Sequence, residues 1–339
     1  MISQLIQGEK IMEKNTSCLF GNRVGEKRIF IEITDICNMK CKHCMNKSGS
    51  TGVEGLEKED LFTLLEELVS HDFKRLYISG GEPLLYRSID EVLKYAHKLG
   101  LKITLATNGW NVIEHIEVIK KCVDVVSISL DGIGPIHDTI REMKGSYVRA
   151  IEALQVLDKN GVTTKISSMI WKKNINQLED IVLTAKSVGV SKVNFAILVP
   201  VGRAEDNEEI LLDKELYSQI YKKIDALTSK YKKQIEIEIK RQHGISQECL
   251  SCPGGDLILH INAHGKISPC SWIAKIECRD FSVMWKPGML KKCMLQFNDF
   301  KRVLEKRENK YEYTGCPAMA YIHNGDYLAK DPINDMIRL

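Results

Sequence analysis

Three cysteines lie within eight residues near the start of the chain, in the segment CNMKCKHC that runs from Cys37 to Cys44. Thiolates at this spacing can converge from one loop on a soft metal or an iron–sulfur cluster. A cubane cluster held by three thiolates keeps one iron open for chemistry, whereas a structural zinc site uses four ligands. The segment therefore favours an iron–sulfur cluster, with zinc and His43 as the alternative.

The composition is that of an ordinary soluble protein. The chain has 339 residues, of which 44% are hydrophobic and 27% charged, and a formal net charge of +3. This length can bury a substantial core, and the near balance of charge gives no reason to expect nucleic acid or an acidic membrane as partner. No run approaches the roughly 18 apolar residues of a membrane span. Charged residues also interrupt the N-terminal segment, so it lacks the apolar stretch of a signal peptide. We therefore expect a cytoplasmic protein.

Eleven cysteines are many for a cytoplasmic chain, where disulfides are rare, and an odd number fits a disulfide framework poorly. Ligation is thus the expected use of most of them. Two stand alone and are expected to be packing residues, Cys18 and Cys122. A second group falls in the last third of the chain: Cys249, Cys252, Cys270, Cys278, Cys293 and Cys316.

Strand and helix patterns alternate through the first two thirds of the chain. Short connections between such units predict parallel strands with right-handed crossovers, in a partial (β/α)6 barrel or a doubly wound α/β sheet. The predicted strands cover 28–34, 74–79, 101–106, 123–130, 162–170 and 191–198. The predicted helices cover 57–70, 88–99, 112–121, 146–159 and 175–188. After Pro200 the alternation breaks, with a helix predicted at 213–230 and a strand at 234–240. The predicted divisions are a lead-in at 1–27, a barrel at 28–240 and a smaller domain at about 245–335.

Polar motifs follow successive predicted strands. The cysteine loop comes after the first, SGGEP after the second, TNG after the third, and SLDG ends the fourth. In barrels of this kind the site lies at the carboxyl ends of the strands, so we expect these motifs to meet there. Gly80 and Gly81 let the backbone approach a ligand closely, although the motif alone would be an ordinary turn. Ser129 and Asp131 share one face of their strand, where a strand-end cap is equally compatible. Asn108, in TNG, could be a site residue or simply a turn residue.

The cysteine loop and the GGE motif together resemble the radical S-adenosylmethionine (radical SAM) superfamily. The resemblance implies that Cys37, Cys41 and Cys44 hold a [4Fe–4S] cluster whose free iron chelates S-adenosylmethionine. The reduced cluster then yields methionine and a 5′-deoxyadenosyl radical that abstracts a substrate hydrogen. His43 departs from the family pattern, in which an aromatic residue is more usual at this position.

The resemblance also suggests residues that hold S-adenosylmethionine. Its GGE motif implies that Gly80, Gly81 and Glu82 hold the methionine amino group. Arg141 lies in HDTIREMKGSY, which is similar to a stretch in the subgroup with extra clusters. It could pair with the carboxylate of the cofactor or form a surface salt bridge. The remaining candidate contacts, to the ribose or the carboxylate, are Asn108, Ser129 and Asp131.

The C-terminal third resembles a SPASM/twitch domain. CLSCPGGDLILHINAHGKISPCSW is similar to its opening hairpin, and GCPAMA with GDYLAKDP to its closing segment. Tyr313 and Asn334 stand where the fuller pattern has cysteines, so a shortened domain with one auxiliary [4Fe–4S] cluster is predicted, with zinc as the alternative. The four expected ligands are Cys249, Cys252, Cys270 and Cys316.

Cys278 and Cys293 lie between these ligands along the sequence. Either could substitute for Cys249, or donate a hydrogen atom to a substrate radical as epimerase-type members require. Burial as packing residues is the simpler interpretation.

The leading hypothesis is a radical SAM enzyme that modifies a ribosomally made peptide by crosslinking, epimerisation or oxidation. The lead-in is too short for the leader-peptide-binding domain often fused to such enzymes. A second hypothesis is oxidation of a small molecule, as in aminoglycoside dehydrogenases or in enzymes of tetrapyrrole and molybdopterin precursor pathways. A third is a non-catalytic iron–sulfur or zinc protein. The resemblance further implies an electron donor of the flavodoxin or ferredoxin type.

Overall fold

The computed structural model describes residues 26–205, 207–240, 252–276, 281–310 and 315–331. Within these ranges all ten strands join one sheet. They are β1 (Lys27–Glu32), β2 (Phe73–Ser79), β3 (Lys102–Thr107), β4 (Val125–Ser129), β5 (Thr164–Ile170), β6 (Lys192–Ile197), β7 (Glu236–Lys240), β8 (Ile258–Ile261), β9 (Lys266–Ser268) and β10 (Val283–Met284).

Helices connect the strands and cover the sheet. They are α1 (Lys58–Ser70), α2 (Ile89–Lys98), α3 (Ile116–Cys122), α4 (Pro135–Arg141), α5 (Ser146–Lys159), α6 (Leu178–Ser187), α7 (Lys214–Tyr231), α8 (Ser271–Lys275), α9 (Leu290–Gln296), α10 (Asn298–Lys310) and α11 (Pro317–Asn324). In α1 the apolar positions at helical spacing are the buried ones, Leu61, Leu64, Leu65 and Leu68. No helix of the described residues is long and apolar enough to cross a membrane.

The sheet has the predicted parallel arrangement. Strands β1 to β7 pair in sequence order, each parallel to the next, with the α/β alternation of a partial barrel. The six predicted strands are all present, and the strand predicted at 234–240 joins them as β7. The sequence did not predict α4, a helix of seven residues that carries Arg141 at its end.

The C-terminal part continues the same sheet. Strand β8 pairs parallel with β1, and β9 and β10 follow in antiparallel order. The hairpin expected between Cys252 and Cys270 is therefore formed by β8 and β9. It satisfies the open edge of β1, whose backbone groups would otherwise lack partners.

A buried ionic cluster joins β1 to this C-terminal part. Glu32, at the end of β1, is only 5% exposed. One carboxylate oxygen lies 3.1 Å from Nε2 of His260 on β8, and the other accepts from Nζ of Lys275 on α8 at 2.7 Å. Burial acts to raise the pKa of Glu32, but the two basic neighbours prevail and lower it to about 2. The carboxylate therefore stays charged inside the protein.

We predict that Glu32→Gln destabilises the fold by roughly 3–5 kcal/mol at neutral pH, because it leaves Lys275, whose side chain is only 12% exposed, without its counter-charge. In the folded wild type the pKa of Glu32 falls from its usual 4.5 to about 2. The stability that ionised Glu32 contributes is therefore complete at a pH above its usual pKa. It is lost as the pH falls towards the pKa of Glu32 in the folded protein. Urea unfolding at neutral pH and at about pH 3 should show the difference between wild type and variant shrinking with acid.

Glu91→Gln is the matched control, because Glu91 pairs with Lys58 at 2.6 Å on the surface. An exposed pair contributes little to stability, because water screens its charges. Equal losses of stability in the two variants would contradict the prediction.

Candidate active site

A cavity of about 340 Å³ opens at the carboxyl ends of the barrel strands. The motifs that follow the separate strands in sequence meet in its wall, as the parallel arrangement requires. The predicted site residues that line it are Cys37, Cys41, Cys44, Gly80, Gly81, Asn108, Ser129, Asp131 and Arg141.

The cysteine loop presents its three thiols to this cavity. Cys37 and Cys41 are buried, and Cys44 is half-buried. Burial raises the pKa of Cys37 to about 12 and that of Cys41 above its usual range. Thiols in such a position become thiolates when a metal supplies the positive charge.

The donor set fits an iron–sulfur cubane. Among the described residues, no group of three His, Cys, Asp or Glu side chains lies close enough to hold a single metal ion. A cubane does not require that closeness, because each thiolate binds a different iron. Three thiols around one cavity are the soft ligands such a cluster uses.

The two glycines of SGGEP are required by contact with the chain that leads into the cysteine loop. The amide of Gly81 donates to the carbonyl of Thr34 at 2.6 Å. A Cβ atom at Gly80 would lie 2.4 Å from that same oxygen, and one at Gly81 would lie 2.2 Å from the carbonyl of Ile36. Any side chain would therefore push the two loops apart.

Glu82 lies behind this loop and does not line the cavity. One carboxylate oxygen accepts from Thr107 Oγ1 at 2.6 Å and from the amide of Leu84 at 3.1 Å. The other accepts from the amide of Asn108 at 2.8 Å. The side chain is fully buried, and burial raises its pKa. Its carboxylate thus ties the glycine loop to the end of β3 and positions Asn108.

Asp131 and Arg141 form a buried ion pair in the cavity wall. Arg141 Nη2 lies 2.5 Å from Asp131 Oδ2, and Nη1 contacts Cys41 Sγ at 3.9 Å. Arg141 is only 9% exposed, so a surface salt bridge is the wrong interpretation. Burial acts to raise the pKa of Asp131, but the guanidinium holds it below its usual range.

His43 also faces this pair. Its Nε2 lies 3.4 Å from Asp131 Oδ2. Burial lowers the pKa of His43 to about 4, so the imidazole is neutral at physiological pH. The histidine that departs from the family pattern therefore packs against the ion pair.

Two side chains that the sequence analysis did not single out hold the backbone of Asp131. Its carbonyl accepts from Trp171 Nε1 and from Asn174 Nδ2, each at 3.0 Å. Both side chains follow β5, more than 35 positions along the chain. The only feature of the sequence that could have indicated these two residues is their position directly after a strand.

Other cavity residues were missed for the same reason. Arg203 lies in VGRAEDN, which was treated only as a polar loop after β6. The C-terminal part adds His260 and Trp272 to the cavity wall. An arginine just after a barrel strand was the one available signal, because side chains there reach the site.

Three of the four predicted auxiliary ligands gather in the C-terminal part. Cys252, Cys270 and Cys316 pack around one small apolar cluster that also contacts Trp272. Burial raises the pKa of Cys316 well above its usual value, and the two neighbouring thiols add to this. Cys249 lies outside the described residues.

The two remaining cysteines differ. Cys278 lies outside the described residues. Cys293 is fully buried on α9 within the main hydrophobic core and does not line the cavity. This placement favours the packing interpretation over hydrogen donation.

We predict that Arg141→Met costs roughly 3–5 kcal/mol in folding free energy, because it leaves the Asp131 carboxylate buried without its counter-charge. The double variant Arg141→Met/Asp131→Asn should recover most of that loss, since no charge then remains unpaired. Denaturant unfolding of wild type, both single variants and the double variant forms a complete cycle. Additive losses in the double variant would show that the two side chains do not act as a pair.

Comparison with known proteins finds related sequences. The model of the Radical SAM superfamily matches residues 31–185. The chain is 28% identical over 331 residues to AdoMet-dependent heme synthase of Methanosarcina barkeri, covering 89% of this chain and 94% of that protein. It is 25% identical over 251 residues to the antilisterial bacteriocin subtilosin biosynthesis protein AlbA of Bacillus subtilis, covering 72% of this chain and 54% of AlbA.

Solved structures share the fold. Native anSMEcpe with bound AdoMet and Cp18Cys peptide matches with a TM-score of 0.74 at 15% identity, over 92% of this chain and 94% of that one. Streptococcus suis SuiB bound to S-adenosylmethionine matches with a TM-score of 0.63 at 16% identity, over 75% of this chain and 62% of SuiB. Residues 31–185 therefore form a Radical SAM domain, and the neighbours of this chain in sequence and fold are radical SAM enzymes of the SPASM/twitch type.

Proposed function

We propose that this enzyme oxidises a bound substrate with a radical generated at a [4Fe–4S] cluster on Cys37, Cys41 and Cys44. The observation that carries the proposal is the single cavity that these thiols share with the glycine loop and the paired Asp131 and Arg141. When bound, the cluster and S-adenosylmethionine supply the chemistry, which is reductive cleavage of the sulfonium and removal of a substrate hydrogen.

The cavity wall offers polar atoms that suit the amino acid end of S-adenosylmethionine. Within the described residues, Asn46 Oδ1, Ser48 Oγ and Arg141 Nε are buried without hydrogen-bond partners. Buried polar atoms are normally paired, so a ligand is the expected partner. An amide oxygen suits the ammonium group, and a hydroxyl or guanidinium suits the carboxylate. Ser129 and Asn108 complete the proposed contacts.

A second cluster would take the electron that an oxidised substrate radical gives up. Cys252, Cys270 and Cys316 are proposed to hold an auxiliary [4Fe–4S] cluster, with Cys249 as the fourth ligand. Trp272 supports this arrangement because it lines the cavity and also packs against the same apolar cluster as the C-terminal cysteines. Trp272 is thus the proposed link between the substrate cavity and the electron acceptor.

Relatives matched over most of their length favour a tetrapyrrole substrate. Three AdoMet-dependent heme synthases are 23–28% identical over 89–91% of this chain. Fe-coproporphyrin III synthase of Methanosarcina barkeri, matched over only 47% of its own length, is 30% identical over 188 residues. Apolar side chains around the cavity suit the faces of a flat macrocycle: Phe30, Met39, Met45, Met169, Leu198 and Trp272. A tetrapyrrole is therefore the proposed substrate class.

A peptide substrate is the second candidate. AlbA and the sporulation killing factor maturation protein SkfB, both of Bacillus subtilis, are 25% identical to this chain over 54% and 59% of their own lengths. The sequence alone favoured a peptide substrate. Because the match to the heme synthases is more complete, the tetrapyrrole is now the first candidate and the peptide the second. Location in the cytoplasm and a flavodoxin- or ferredoxin-type donor stay predictions.

We predict about eight irons per reconstituted chain, four for each cluster. The variants Cys37/Cys41/Cys44→Ala and Cys252/Cys270/Cys316→Ala should each retain about four. Iron and sulfide analysis after anaerobic reconstitution measures this. If the Cys37/Cys41/Cys44→Ala variant retained no iron, the C-terminal cysteines would hold no cluster. About twelve irons in the wild type would indicate a third cluster.

We predict that the anaerobic, dithionite-reduced enzyme converts S-adenosylmethionine to 5′-deoxyadenosine, and that iron coproporphyrin III accelerates this conversion severalfold. Chromatography of the nucleoside products measures both. The Cys37/Cys41/Cys44→Ala variant is the control and should form none. No 5′-deoxyadenosine from fully loaded wild type would contradict the radical function. Acceleration only by a peptide encoded in a neighbouring short reading frame would make the peptide the substrate.

A further inference from the structure

Arg203 holds the three-cysteine loop from a distant part of the chain. Its Nε donates to the carbonyl of Cys41 at 2.7 Å, and its Nη1 donates to the carbonyl of Ser48 at 2.9 Å. Its backbone amide donates to the carbonyl of Cys44 at 3.0 Å. One residue therefore holds three carbonyls of a loop that lies 155 or more positions away.

Gly202 allows this approach. It has a φ of 63°, a conformation that side chains disfavour. A Cβ atom here would lie 2.5 Å from the carbonyl oxygen of Cys44 and 2.6 Å from Cα of Met45. These are backbone atoms of the cysteine loop, so an added methyl group would have to displace the loop itself.

Arg203 also brings an unbalanced charge to the cavity. Of the two arginines in the cavity wall, Arg141 is neutralised by Asp131. The other carboxylate there, Glu32, is paired with Lys275. In the part of the chain that the structure describes, Arg203 has no ion pair, and its Nη2 is buried without a hydrogen-bond partner. Its positive charge is therefore not cancelled beside the cysteine loop.

An iron–sulfur cluster is the anionic group that this charge would complement. A cubane bound by thiolates becomes more negative when it is reduced. A nearby cation in a poorly hydrated site stabilises the more negative form, and nearby charge is one of the features that set cluster potentials. Reduction of the cluster is the step that begins the radical chemistry.

We propose that Arg203 is a positioning residue for the radical-generating cluster, which fixes the cysteine loop through its carbonyls and favours cluster reduction through its charge. This inference rests on the proposed ligand set Cys37, Cys41 and Cys44. It assigns a role to a side chain that lies outside the cysteine and glycine motifs.

Two variants separate the two parts of the role. Arg203→Lys keeps the charge but cannot donate to two carbonyls at once, so iron loss to a chelator should become roughly tenfold faster, as expected when one or two hydrogen bonds are lost. Its reduction potential should stay close to that of the wild type. Arg203→Gln removes the charge, so the potential should become more negative. Gly202→Ala should accelerate iron loss without changing the charge.

Iron loss is followed optically in the full reconstituted chain, and the potential by redox titration with electron paramagnetic resonance. The signal that changes when S-adenosylmethionine is added identifies the first cluster. Arg302→Gln is the matched control, because its side chain is 73% exposed on α10, and neither property should change. Circular dichroism verifies folding, and Arg203→Met replaces Arg203→Gln if the latter does not fold.

Each outcome decides the proposal. An unchanged potential without the Arg203 charge overturns the electrostatic role. Iron retention equal to wild type in both Arg203→Lys and Gly202→Ala overturns the holding role. Wild type that takes up no iron at these cysteines overturns the ligand set itself, which is a separate result because it is obtained before any Arg203 variant is measured.

Discussion

Backbone contact between the cysteine loop and two glycine-bearing turns is the constraint on which the site depends. Gly80 and Gly81 approach the carbonyls of Thr34 and Ile36 on one side, and Gly202 approaches Cys44 on the other. At each contact a single methyl group would overlap main-chain atoms, which cannot move aside as a side chain can. The loop is thus held between the ends of β2 and β6. Its three thiols reach the cavity because the backbone around them has little freedom to move.

Pairing of charges is the second constraint. Glu32 and Asp131 are both almost fully buried, and an isolated buried carboxylate would be very costly. Glu32 is paired through Lys275, which also ties the C-terminal hairpin to the barrel, and Asp131 is paired through Arg141. The same pairing leaves the wall of the cavity nearly neutral. Arg203 is the exception, because its charge has no partner among the described residues of the cavity wall. Its position beside the cysteine loop is the basis of the role proposed for that charge.

The structure places the residues of the two proposed tasks in different parts of the chain. The barrel end carries the residues proposed to generate the radical, and they depend on contacts among β1, β2, β4 and β6. The C-terminal part adds Trp272 and His260 to the same cavity and places three more cysteines against the apolar cluster that Trp272 also contacts. Differently named proteins share this fold, because function depends on the site that a fold carries and not on the fold itself.

Local patterns in the sequence were sufficient for the strands, most helices, the cysteine loop and the glycine loop, because periodicity and motif spacing act between residues close in the chain. The parallel α/β fold followed from the same patterns. The burial of Arg141, the bracing role of Glu82 and the contacts of Arg203 did not follow from it. Glu82 contacts Thr107 across 25 positions, and Arg203 contacts Cys41 across 162 positions. Only the folded sheet brings such residues together, since the carboxyl ends of its strands meet at one edge whatever their separation along the chain.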